Sequence, residues 1–120
     1  MVELLKLIIT ELSSTVTLGA DWVNDSTTFP YATYEYNNNE QEKKNSTLLT
    51  VDVWDKSTSV LPIETLCNSI RLKLDRKKWN NNKVFASSHF TNQSIIRDPD
   101  ERYKRRRMIF EIYFYSKEVQ

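Results

Sequence analysis

Two periods of hydrophobicity alternate along this 120-residue chain, and their order limits the fold more than any other feature. Leu4, Leu5, Ile8, Ile9 and Leu12 lie three or four positions apart, which predicts an apolar helix face over about residues 2–14. A mixed stretch over 15–30 follows and reads as a connecting loop, with Pro30 holding Phe29 extended. Tyr31 to Tyr36 and Thr47 to Trp54 then alternate with period two, as strands do. The helical period returns at Ile63, Leu66, Cys67, Ile70 and Leu74, with Pro62 in the first turn, so a second helix is expected over about 61–77. Alternation closes the chain, first over Lys83 to Gln93 and then over Lys104 to Ser116.

The order is helix, strand, strand, helix, strand, strand. No β-α-β unit repeats, so a doubly wound parallel sheet is excluded. The expected fold is α+β: a mixed, mainly antiparallel four-stranded sheet with both helices on one face, in a single domain spanning 1–120. Asn37 to Ser46 contains no apolar residue and reads as a flexible hairpin loop. In the last strand, Met108, Phe110, Ile112 and Phe114 share the inward face with Lys104 and Arg106. Arg105, Arg107, Glu111, Tyr113 and Tyr115 share the other.

Hydrophobic residues make up 39% of the chain and charged residues 28%, the proportions of a globular protein rather than a disordered one. The net charge of +1 produces no whole-protein field to attract nucleic acid or anionic membrane. Cys67 is the only cysteine, which points to a reducing compartment. The apolar run after Met1 is short and interrupted by Glu3, Lys6 and Glu11, unlike a secretory signal, so an intracellular soluble protein without a membrane partner is expected.

Few residues suggest chemistry. One Cys and one His, 22 positions apart, do not make a nucleophile pair without a contact and an orienting group. Cys67 sits on the apolar helix face, where a structural role is the simpler reading. Asp98, Asp100 and Glu101 lack the spacing of a calcium loop and read as a solvated turn. The expectation is no catalytic residue, no metal, no cofactor and no enzyme activity.

Two features point to association. Arg102 to Arg107 holds five basic residues in six, either a stripe that contacts phosphate or protein, or a charged strand entrance that blunts edge pairing. The strand aromatics Tyr34, Tyr36, Trp54, Tyr113 and Tyr115 have the half-polar character enriched at interfaces. The expected contact set is these five, Arg105 and Arg107, together with Asn38, Glu40, Lys43 and Lys44 from the hairpin loop.

Thr28-Phe29-Pro30-Tyr31, the strand ending Asp52-Val53-Trp54-Asp55-Lys56-Ser57, and the Arg97-Asp98-Pro99-Asp100 turn ahead of a basic, Phe/Ile-rich last strand form an ordered pattern. That pattern, over about residues 1–118, resembles the tail-terminator or tail-completion (head–tail joining) proteins of long-tailed bacteriophages and prophages. The resemblance implies a ring, usually a hexamer, that caps the tail tube and joins it to the head. It implies as partners further copies of the chain, the tail tube protein and a head completion or connector protein, with DNA passing through the lumen unread. It places the protein in the host cytoplasm during assembly and then in the virion. The rival readings are a small nucleic-acid-binding module built on Arg102–Arg107 and a prophage-encoded toxin-antitoxin or regulatory partner. Self-association is expected through sheet edges and the polar loop, with the isolated subunit able to stay monomeric at low concentration.

Overall fold

The computed structural model of this chain describes residues 2–15, 17–18, 29–41 and 44–116; at 2–3, 17–18, 37–41, 44–45 and 116 it describes the backbone alone. The elements run α1 (Val2–Ser13), β1 (Thr17–Leu18), β2 (Tyr31–Gln41), β3 (Lys44–Lys56), α2 (Leu61–Leu74), β4 (Lys77–Asn80), β5 (Val84–Arg97) and β6 (Tyr103–Ser116).

The strands form one sheet in the order β1-β2-β3-β6-β5-β4. The five longer strands are antiparallel throughout, and the two-residue β1 runs parallel to β2. Both helices pack on one face, as expected. Leu4, Ile8 and Leu12 of α1 and Ile63, Cys67, Ile70 and Leu74 of α2 join the inward residues of β3 and β6 in one buried cluster. In β6 the inward set is Arg106, Met108, Phe110 and Ile112, all buried, as the alternation predicts.

Local chemistry explains where α2 begins and ends. The Leu61 N–H donates to Ser59 Oγ at 3.1 Å, satisfying one of the free N–H groups of the first turn, and Pro62 needs no partner there. At the other end Asp75 is extended and Arg76 adopts φ 61°, a left-handed turn that ends the helix. The Arg76 N–H then donates to the Ser88 carbonyl at 2.7 Å, starting the β4–β5 ladder.

The structure corrects the sequence reading at four places. The second helix ends at Leu74 and not near 77, because Lys77–Asn80 forms β4, a strand too short to display a period. A two-residue strand, β1, lies within the stretch read as a loop over 15–30. The strand read over 83–93 continues to Arg97 through a bulge between Phe90 and Asn92, which shifts the inward parity from Phe90 to Gln93 and Ile95. The hairpin read as a loop over 37–46 is ladder up to Gln41↔Lys44, because main-chain hydrogen bonds propagate without any apolar side chain. Six strands therefore replace the four expected.

Candidate functional site

The basic run at the start of β6 finds its hydrogen-bond partners within the molecule. Register places Arg107 opposite Asp52 and Arg105 opposite Trp54 on the face away from the helices. One carboxylate serves both arginines: Asp52 Oδ2 accepts from Arg105 Nη2 at 2.5 Å, and its two oxygens accept from Arg107 Nε and Nη2 at 2.9 and 3.1 Å. Burial pushes the Asp52 carboxyl up. The hydrogen bonds from Arg107 and Arg105 outweigh that and hold it below the usual carboxylate range. The Arg105 guanidinium also lies 4.2 Å from the Trp54 ring centroid, a cation–π contact.

The other basic residues are engaged too. Arg106 turns inward and is 5% exposed; its Nε donates to Glu64 Oε1 of α2 at 2.6 Å, and its Nη1 to the Arg105 carbonyl. Arg102 forks onto Asp100 at 2.7 and 3.1 Å, and those hydrogen bonds lower the Asp100 carboxyl to about 2. Lys104 Nζ donates to the Glu101 carbonyl. The run is therefore a strand entrance whose five positive charges meet three carboxylates, Asp52, Glu64 and Asp100, with Arg107 the more accessible of the two Asp52 partners at 40% side-chain exposure.

The aromatics divide into three environments. Trp54 is half-buried between the stacked Tyr31 ring, at 6.1 Å and 1° between planes, and the Arg105 guanidinium. Phe29 and Tyr103 extend this cluster, with Phe29 at 5.3 Å from Tyr31 and 5.9 Å from Tyr103. Burial pushes the Tyr31 hydroxyl up to about 12 against the opposing charge of Arg105, so it stays protonated. Tyr34 leans onto the core, and Tyr36 is exposed on the helix-side face of β2. Tyr113 and Tyr115 are exposed on the opposite face, beside Phe85 and Leu48; His89 meets Tyr113 edge-on at 5.7 Å.

Of the eleven residues expected to make contacts, Trp54, Arg105 and Arg107 come together around Asp52, and Tyr113 and Tyr115 form a separate exposed patch. Asn38, Glu40 and Lys44 lie in the hairpin ladder, where the structure describes backbone only, and Lys43 lies outside the described residues. Sequence reasoning missed Asp52 as the shared anion, and Phe85 and Leu48 as members of the exposed patch. Their only local sign was a place on the polar side of an alternating strand; the meeting itself depends on cross-strand register. Among the described residues no group of three or more His, Cys, Asp or Glu is arranged to hold a metal, and no helix is long and apolar enough to cross a membrane. Burial raises the Cys67 thiol to about 12, with Glu64 adding to the shift and Arg106 opposing it, which leaves it un-ionised at neutral pH.

No family model matches the sequence, and no curated protein matches it. The fold, however, is similar to that of a chain in a structure described as the virion of a native gene transfer agent (GTA) particle. The TM-score is 0.61 at 7% identity, with 90% of this chain and 84% of that chain covered. At that identity the likeness is one of fold alone.

Proposed function

We propose that this chain is a structural protein of a phage-like particle, and within it the subunit of a ring that caps the tail tube and joins it to the head. The observation that carries the reading is the fold shared, over nine-tenths of the chain, with a protein of a gene transfer agent virion. The order of residues that resembles tail-terminator proteins narrows the place within such a particle to the head–tail joint. On this reading the chain works by shape: it stops tube growth, offers a docking surface to the filled head, and lets DNA pass without reading its sequence. Its partners are further copies of itself, the tube protein and a head completion protein. The rival reading as a nucleic-acid module loses its main support, since every basic residue from Arg102 to Arg107 has a partner inside the molecule.

The test is to inactivate the gene in its parent particle system and image the products by electron microscopy. The expected result is DNA-filled heads beside unattached tails of irregular length, with joining restored by adding the purified protein. Particles of normal tail length and infectivity would overturn the proposal. Empty or unfinished heads with normal tails would move the chain to another place in the particle.

A further inference from the structure

The outer edge of β5 is only half covered. β4 pairs with it from Phe85 to Ser88, and the Phe90 N–H is then taken by Asp75 Oδ1 at 2.9 Å. Past the bulge, the alternation turns the main-chain groups of Asn92, Ser94 and Ile96 toward β6 and those of Gln93, Ile95 and Arg97 outward. Among the described residues nothing bonds to these outward N–H and carbonyl groups, and Ile95 is 58% exposed. The segments outside the described residues begin elsewhere: 19–28 follow β1 at the opposite edge of the sheet, and 117–120 follow Ser116, which pairs with Val84 at the other end of β5.

This stretch lacks the usual protection of an edge. Residues 89–97 contain no lysine and no proline, the residues that most often blunt an exposed strand, and no acidic side chain. Ile95 projects on the helix side between two hollows. One, of about 500 Å³, it shares with Val60, itself 50% exposed; the other, of about 570 Å³, it shares with Arg71 and Phe90.

The edge is complementary to itself. Two copies set antiparallel about a two-fold axis at Ile95 place Ile95 opposite Ile95, and Gln93 opposite Arg97 of the other copy. All three outward residues then exchange main-chain hydrogen bonds, and no like charges face each other. An axis at Arg97 would set arginine against arginine, and one at Gln93 would carry the ladder into the bulge. In the Ile95 register the turn that follows Arg97, with Asp98, Asp100 and Glu101, comes alongside Phe90 of the other copy. Two arginines stand there: Arg71, 4.2 Å from the Phe90 ring centroid, and Arg76, whose main-chain N–H donates to the Ser88 carbonyl. Asp100 is held by Arg102, but among the described residues Asp98 and Glu101 have no ion-pair partner of their own. The charges at the two ends of the contact are therefore complementary, twice over by symmetry. We infer that the β5 edges of two copies pair with each other, Gln93–Arg97 against Gln93–Arg97, in a two-fold dimer of the free subunit. The contact uses the edge of both copies and closes at two. It concerns the chain off the particle and does not rest on the ring reading.

Single cysteines in the full-length chain test the register, with circular dichroism to establish folding. In a hydrogen-bonded antiparallel pair the Cα atoms lie about 5.5 Å apart, within reach of a disulfide. With oxidised glutathione, Ile95→Cys is expected to give a disulfide-linked dimer, and so is a mixture of Gln93→Cys with Arg97→Cys. Neither of those two should link by itself, and Leu48→Cys, exposed in β3 on the face away from the helices, serves as the collision control. In sedimentation velocity the wild type should show a monomer–dimer equilibrium, and Ile95→Lys, which sets two ammonium groups at the axis, should raise its dissociation constant about tenfold or more. Ile95→Cys that links no faster than Leu48→Cys, Gln93→Cys that links by itself, or a wild type that is monomeric at every concentration overturns the inference. None of these outcomes bears on the ring reading, which is decided by the particles that lack the gene.

Discussion

Replacing Asp52 by Asn tests the central electrostatic feature of the sheet. The side chain keeps its size and one acceptor, but the charge that holds Arg105 and Arg107 is gone. The Asp52 side chain is 11% exposed and that of Arg105 24%, so their contact is screened little by water; Arg107, at 40%, contributes less. A charge-assisted hydrogen bond in a partly buried setting is worth about 1.5–3 kcal/mol and an exposed pair about 0.5 kcal/mol. Together these give a loss of about 2–3.5 kcal/mol at neutral pH. With a urea slope of roughly 2 kcal/mol per molar, the unfolding midpoint should fall by about 1–1.8 M. The pH dependence has a definite sign. The folded carboxyl titrates below its unfolded value, so the stabilisation is present above about pH 4 and disappears as pH falls through the lower, folded value. Urea titrations of both proteins at neutral and acidic pH should therefore converge at the acidic end. A neutral-pH difference under about 0.5 kcal/mol, or one unchanged by acid, would refute this account of Asp52.

Three further outcomes follow from other contacts. Glu64→Gln strips the buried Arg106 of its anion and should destabilise by about 1–2 kcal/mol, whereas Arg106→Met combined with Glu64→Gln should recover part of that loss; additive penalties in a denaturation cycle would argue against the pair. At Arg76, whose φ is 61°, a β-branched Val should cost about 1–2 kcal/mol and Gly should be neutral or stabilising, as read by thermal unfolding; equal melting temperatures would contradict the left-handed turn. Because Cys67 is 1% exposed and its thiol is raised to about 12, a thiol reagent at pH 8 should label it only as fast as the protein opens, and rapid labelling of the folded chain would place the residue elsewhere.

Both helices and the inward faces of the longer strands were legible in the sequence because periodicity is a local property. A residue's place in a 3.6- or two-residue repeat sets the side on which it emerges, whatever partner lies there. Leu4, Ile8 and Leu12, the α2 face through Cys67, and Met108, Phe110 and Ile112 are buried where that rule puts them, and Arg106 follows Met108 inward. The ladder over Asn37–Gln41 could not be read in this way, because its main-chain hydrogen bonds need a facing strand and no apolar side chain. β4 is four residues long, too short for a period, and exists because the left-handed turn at Arg76 returns the chain to Ser88. Asp52 acquires two arginines only through cross-strand register, a relation between residues more than fifty positions apart. The neighbours of each strand, too, belong to the tertiary structure: which strand lies beside which depends on how the sheet is assembled, and that order, β1-β2-β3-β6-β5-β4, differs from the order along the chain.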